Sequence, residues 1–199
     1  MKIIIIGATG AVGKTAVQAL SARHDIITAG RSSGDINVDL EDCASIQAMY
    51  DHVGKVDAVV CATGHGHFGP VADMTPAQCM IGINAKAMAQ ISLVLEGIGH
   101  VSDGGSFTLT SGVLNRDPIR GGAAAAAANG AIDGFVRGAA VDMPRGLRIN
   151  AVSPEVLEAS RAKYDGFFRG HTHVSDEAVA LAYSKAVEGC LTGQVFIVD

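Results

Sequence analysis

The hydrophobic pattern opens with Ile3-Ile4-Ile5-Ile6, a continuous β-branched run without polar alternation, as a parallel strand buried on both faces requires. From there short apolar runs alternate with helix-period stretches to the end of the chain. The runs are Ile26–Ala29, Ala58–Cys61, Ser106–Thr110, Arg148–Val152 and Val195–Val198. The helical stretches are Thr15–Arg23, Ala44–His52, Ile81–Ile98, Ala123–Met143 and Glu177–Glu188. A short strand at Asp35–Val38 fills an edge position. This rhythm predicts an α/β fold: a doubly wound parallel sheet of about seven strands with helices on both faces and a ligand crevice at the strand carboxyl ends. Two segments break the pattern. Gly121-Gly122 and the alanines after them read as the start of a closely packed helix, because Ile132, Phe135 and Val136 continue one apolar face. Residues 155–174 lose periodicity, and read either as a substrate flap or as a surface connection capped by Phe167 and Phe168.

The first strand runs straight into Gly7-Ala8-Thr9-Gly10-Ala11-Val12-Gly13, followed by a helix expected to begin near Lys14. Glycines at that spacing let the backbone turn sharply and approach a pyrophosphate at the helix N-terminus, as in a Rossmann nucleotide-binding unit. Gly7, Thr9, Gly10, Val12 and Gly13 are therefore candidate cofactor-binding positions.

Length and composition narrow the reading. The 199 residues, 48% of them hydrophobic, suit one domain over 1–199 and leave no room for a separate substrate domain. A net charge of −5, with acids and bases scattered, argues against nucleic acid and an anionic membrane surface as partners. The opening apolar run is too short for a secretory leader, and no segment approaches a membrane span, so a cytoplasmic protein is expected. Cys43, Cys61, Cys79 and Cys190 lack metal-site or redox spacing and read as small buried apolar residues. The pairs His65/His67 and His171/His173 have no carboxylate or cysteine nearby in sequence to complete a site, so no metal is expected.

Taken in order, the motifs resemble the short-chain dehydrogenase/reductase family over nearly the whole chain. The Gly7–Gly13 turn is similar to its cofactor loop, Asp39-Leu40 to its aspartate-apolar pair beside the adenine, and Cys61-Ala62-Thr63-Gly64 stands where Asn-Asn-Ala-Gly is usual. Asn84 matches the central-helix asparagine and Ser111 the catalytic serine. Residues 148–154 resemble the stretch before the nicotinamide loop, and Thr192-Gly193-Gln194-Val195 the last turn and strand. The resemblance implies cofactor contacts from Asp39, Leu40, Ala62, Thr63, Gly64, Pro154 and Val156, and a homodimer or homotetramer built on helices near Ala87–Leu95 and Ala123–Ala140. After the second strand, Gly30-Arg31-Ser32-Ser33 stands where an NAD-selective site places an acid. Arg31 and Ser32 suit a 2′-phosphate, so NADP (NADPH) is the expected cofactor; an exposed arginine without a ligand is the alternative.

The chain departs from the family where the chemistry is done. The Tyr-x-x-x-Lys pair, which shares one helix face and passes a proton to the substrate oxygen, aligns with Ala125 and Asn129. Losing a positioned general acid typically forfeits 10²–10⁴-fold in rate, about 3–5 kcal/mol. His67 and Tyr164 are the candidate replacements, and Asn129 is a candidate for the nicotinamide ribose. Glu155 stands where glycine is usual, and Ala159 where a threonine would hold the carboxamide, with Ser160 beside it. The leading expectation is an NADPH-dependent oxidoreductase that transfers hydride to a small carbonyl or similar acceptor, Ser111 and Asn84 contributing and the proton coming from a non-standard donor. The alternative is a catalytically silent NADP-binding protein, a sensor or the inactive subunit of a complex. Substrate identity is not legible in the sequence.

Overall fold

A computed structural model of the protein describes residues 1–164 and 166–199. Seven parallel strands form the sheet: β1 (Lys2–Ile6), β2 (Asp25–Gly30), β3 (Ile36–Asn37), β4 (Val56–Cys61), β5 (Val101–Thr110), β6 (Arg148–Pro154) and β9 (Val195–Val198), in the order β3-β2-β1-β4-β5-β6-β9. The order runs outward from β1 in both directions, so the topological switch lies at the carboxyl ends of β1 and β4. Crevices open at such a point because the connections leave the sheet in opposite directions. Two short strands, β7 (Val156–Leu157) and β8 (His173–Val174), pair in a small sheet of their own.

The isoleucine run is continuous because both faces of β1 are covered. Ile4 and Ile6 join a core with Ile46, Met49 and Tyr50 of α2 (Cys43–Val53), Leu93 of α4 (Ala89–Gly97) and Ile132 and Val136 of α5 (Ala123–Ala139). Ile3 and Ile5 pack with Leu20 of α1 (Ala11–Leu20) and Val179, Tyr183 and Val187 of α6 (Asp176–Glu188). All four isoleucines are at most 2% exposed. Fully burying one such side chain stabilises the fold by about 1.5–3 kcal/mol.

Several sequence expectations are corrected. Helix α1 begins at Ala11 rather than near Lys14, with Gly10 as its N-cap, so the turn glycines and the first helical turn are one unit. The stretch expected from Ile81 starts earlier, at α3 (Pro76–Gly82), where Thr75 and Gln78 form a capping box and a proline occupies the first turn. Between α3 and α4 lies a π-helical turn, Ile83–Met88. Helix α5 stops at Ala139, four residues before the expected Met143. Of the four cysteines only Cys61 is buried; Cys43 and Cys190 are exposed and Cys79 is half-buried. In residues 155–174, the short strands β7 and β8 bracket a 3-10 stretch at Glu158–Tyr164. Phe168 packs edge-on against Tyr164 and His171, whereas Phe167 is 60% exposed, so only one phenylalanine caps the segment. Among the described residues, no helix is long and apolar enough to cross a membrane.

Candidate active site

The glycine turn is held by its own backbone. Gly7 N–H donates to Ala29 O and Gly10 N–H to Gly7 O, with Gly7 at φ +78°, a conformation that L side chains avoid. A Cβ on Gly13 would collide with Gly7 O, and one on Gly7 would lie 2.8 Å from Ala62 O. These glycines therefore permit backbone-on-backbone packing. The start of α1 carries no side-chain cap hydrogen bond and no acid in its first turn. Its free N–H groups and positive dipole end suit a pyrophosphate, so the turn fits the group that the motif implies.

Beyond the turn a cavity of about 530 Å³ is lined by Gly7, Thr9, Gly10, Val12, Arg31, Ser32, Leu40, Glu41 and the Ala62–His65 backbone, among others. Thr9 Oγ1 and Ser33 Oγ are 3.0 Å apart and bridge the turn to the β2 end. Arg31 Nη2 donates to Asp39 Oδ1 at 3.2 Å and Glu41 Oε1 at 3.0 Å. The Glu41 hydrogen bond, then the Asp39 charge, holds the guanidinium pKa above its ordinary value. Asp39 is held below the usual carboxylate range, first by the Glu41 N–H and then by Arg31. Leu40 lines the cavity, but Asp39 does not; the aspartate expected beside the adenine is turned to Arg31 instead.

A second cavity of about 560 Å³ shares Val12, the Ala62–His65 wall and Tyr164 with the first. Ser111, just past β5, is 3% exposed, and its Oγ has no hydrogen-bond partner. Lys86, on the π-turn, donates through Nζ to Ser111 O and to Asn129 Oδ1, both at 2.6 Å. Burial pushes the Lys86 pKa down to about 8, against the opposing pull of Asp133 and Cys61. Gly64, at φ +138°, makes room for that side chain, since a Cβ there would collide with Lys86 Cγ. One helical turn further, buried Gln90 donates through Nε2 to Thr110 O at 2.9 Å and Thr63 O at 3.2 Å and accepts from Thr110 N at 2.8 Å. It ties the carboxyl end of β5 to the loop after β4, where the crevice opens.

Ser111, Asn129, Pro154, Val156, Ala62, Thr63, Gly64 and Tyr164 all border the second cavity, as does Ala125. Two expected participants do not. Asn84 is exposed and lines neither cavity; Lys86, two residues on, occupies the inward position. His67 also lines neither cavity, because its Nε2 packs back over Gly69, where a Cβ would lie 2.9 Å away; His65 borders both cavities instead. Ser160 borders both cavities too. Tyr183 of the late Tyr-Ser-Lys triplet is fully buried, with its hydroxyl 2.6 Å from Thr110 Oγ1. His171 meets two acids distant in sequence: Glu155 Oε1 at 2.8 Å and Asp117 Oδ2 at 3.6 Å. That pairing accounts for the buried Glu155 carboxylate in the place of the usual glycine. Sequence reading missed Lys86 and Gln90; their i, i+4 spacing, which puts both on one helix face, was the available signal.

A family model described as enoyl-(acyl carrier protein) reductase matches residues 2–199. The chain belongs to the short-chain dehydrogenase/reductase family. It is similar to the protein lin1944 from Listeria innocua, whose crystal structure is 48% identical, with a TM-score of 0.98 and 100% of both chains covered. A small-chain dehydrogenase crystallised in complex with NADPH is 24% identical, with a TM-score of 0.85 over 100% of this chain and 96% of the other. The hydroxynaphthalene reductase arp2 of Aspergillus fumigatus is 29% identical over 71% of this chain and 54% of its own. The chain thus spans about half the length of the curated relatives it matches.

Proposed function

We propose that this family member is an NADPH-dependent oxidoreductase that reduces a small carbonyl or similar acceptor in the second cavity. The observation that carries the proposal is the unpartnered, buried Ser111 hydroxyl, bordering a cavity continuous with the nucleotide crevice. A buried donor without an acceptor is costly unless a ligand completes it. Ser111 Oγ–H would donate to the acceptor's oxygen and orient the carbon for attack.

The cofactor, when bound, supplies the hydride. Its pyrophosphate would lie on the N–H groups of the Gly7–Gly13 turn, and the adenine beside Leu40. Arg31 and Ser32 would meet the 2′-phosphate, Arg31 exchanging its two carboxylates for a phosphate it can grip bidentately. Asn129 would donate its amide N–H to the nicotinamide ribose, since Lys86 occupies its carbonyl. Pro154 and Val156 would flank the nicotinamide, with Ser160 near the carboxamide. The NADPH-bound neighbour and the reductase relatives support this reading. Residues 155–174 would act as the substrate flap, because Val156, Tyr164 and Phe168 wall the cavity. A second copy of the chain would cover the outer side of the π-turn and α4, where Met88 and Leu95 are 44% and 55% exposed. A cytoplasmic setting, where NADPH is supplied, fits this role.

The test is titration with NADPH and NADH, followed by NADPH consumption with aldehydes, ketones and quinones. NADPH-selective binding with turnover is expected. Binding without turnover would favour the silent NADP-binding protein, and failure to bind either nucleotide would overturn both.

A further inference from the structure

We propose that Lys86, on the π-turn between α3 and α4, is the proton donor to the substrate oxygen, replacing the tyrosine whose position is Ala125. The proposal rests on the oxidoreductase reading. An ammonium has three N–H donors, and two are committed, to Ser111 O and Asn129 Oδ1. The third is left for a ligand in the cavity that Lys86 borders. The contact to the Ser111 carbonyl places the ammonium beside the residue whose hydroxyl would bind the substrate oxygen, so in the proposed complex that oxygen would accept from both. Ala125 on the same cavity wall leaves the space that a phenol would fill.

The local structure is shaped around this side chain. A π-turn inserts one residue into the helical repeat and shifts the phase of everything after it, and such turns recur at functional sites. Within this turn Lys86 borders the cavity while Asn84, two residues before it, is exposed. Gly64 from the β4 loop clears the lysine stem, and Asn129 from α5 holds its head. Neither accommodation would be needed for a lysine pointing into solvent.

The charge environment permits the transfer. Asp133 on α5 and Cys61 on β4 are the groups that raise the Lys86 pKa, and burial outweighs both, bringing it to about 8. Cys61 stays a thiol, its own pKa pushed up to about 12 by burial. Asp133 Oδ2 is held by Asn115 Nδ2 at 2.7 Å. The other titratable groups on the cavity wall are His65, Glu155, Lys163 and Tyr164. A donor titrating near 8 is charged at neutral pH yet gives up its proton readily to an alkoxide-like oxygen. In the step, hydride from NADPH adds to the carbonyl carbon and the π pair moves to oxygen, which takes the Lys86 proton. The products are an alcohol, NADP⁺ and a neutral amine, and the amine regains a proton from water.

The experiment uses Lys86→Met and Lys86→Arg; the arginine keeps the charge but cannot deprotonate. Titration of the lysine ε-carbons by NMR in protein carrying ¹³C-labelled lysine, assigned with Lys86→Arg, is expected to show Lys86 turning over at about 8. A midpoint at the ordinary value of 10.5 would overturn the proposal whether or not a substrate has been found. With an accepted carbonyl, both variants are expected to lose about 10²–10⁴-fold in kcat. Lys86→Arg should keep NADPH affinity within a few-fold. Wild-type turnover matched by either variant would overturn the role of Lys86 and leave the oxidoreductase standing. Wild-type protein that fails to bind NADPH would instead remove the underlying reading.

Discussion

Ser111 separates stability from function at a single atom. A buried hydroxyl without a partner costs about 1–3 kcal/mol, so Ser111→Ala is expected to leave Tm unchanged or raise it, while kcat falls by about 10²–10³-fold and NADPH affinity stays the same. A Tm drop in thermal melts would mean that the hydroxyl serves the fold. Arg31 offers a contrasting case. Charged hydrogen bonds contribute about 1.5–3 kcal/mol, so Arg31→Ala is expected to weaken NADPH about 10–100-fold while NADH binding changes little, since Asp39 and Glu41 remain. Fluorescence titration of both nucleotides checks this. Ser111 was legible because it follows an apolar strand in a recognisable motif. Lys86 was not, because its i, i+4 spacing to Gln90 shows that the two share a face but not which way that face turns.

At the scale of elements, the crevice depends on β4 and β5 ending at matched heights, and Gln90 of α4 connects those ends. Gln90→Ala would strand Thr110 N and O without side-chain partners, at a cost of about 2–4 kcal/mol. For a chain of this length the expected fall in Tm is about 5–15 °C, measured by calorimetry. If Tm holds, the two loop ends are positioned by the sheet alone. The strands of the main sheet were legible from period, down to the short edge strand at Ile36–Asn37, whereas helix α3 and the small β7–β8 sheet were not. Helix phase was not legible either. The π-turn at Ile83–Met88 leaves no mark on a hydrophobic pattern, and it is within this turn that Lys86 borders the cavity while Asn84 is exposed. The start of α1 was misplaced for a related reason: glycines read as turn residues, whereas Gly13 lies inside the helix, its missing side chain allowing close approach to Gly7.

Across the whole molecule, the α1–α6 face is joined at its rim by charge. Glu188 of α6 meets Arg23 and His24 at 2.9 Å each, and the Arg23 hydrogen bond, helped by His24 and Ser184, lowers its pKa to about 2 from the ordinary 4.5. A carboxylate depressed in the folded state contributes stability above its unfolded value and loses it as pH falls through the folded one. Stability is therefore expected to decline between about pH 4.5 and pH 2, with a shallower slope in Glu188→Gln; solvent exposure keeps the effect small. Denaturant melts across that range test it. On the opposite face, Leu95→Glu is expected to shift a proposed homo-oligomer towards monomer in light scattering. An unchanged mass would place any interface elsewhere.

The sequence by itself determined the strands of the main sheet, their parallel, doubly wound arrangement, the glycine turn and the family. These follow from local periodicity, from right-handed crossovers and from motifs read in order, none of which requires knowing what lies across the molecule. Only the tertiary structure decided which side chains share the pocket. It brought Lys86 to Asn129 across 43 positions and His171 to Glu155 across 16, and it turned His67 back onto its own loop. Such encounters depend on helix rotation and sheet register. A single extra residue in a helical turn moves a side chain by about 100° around the axis, enough to exchange one candidate for another.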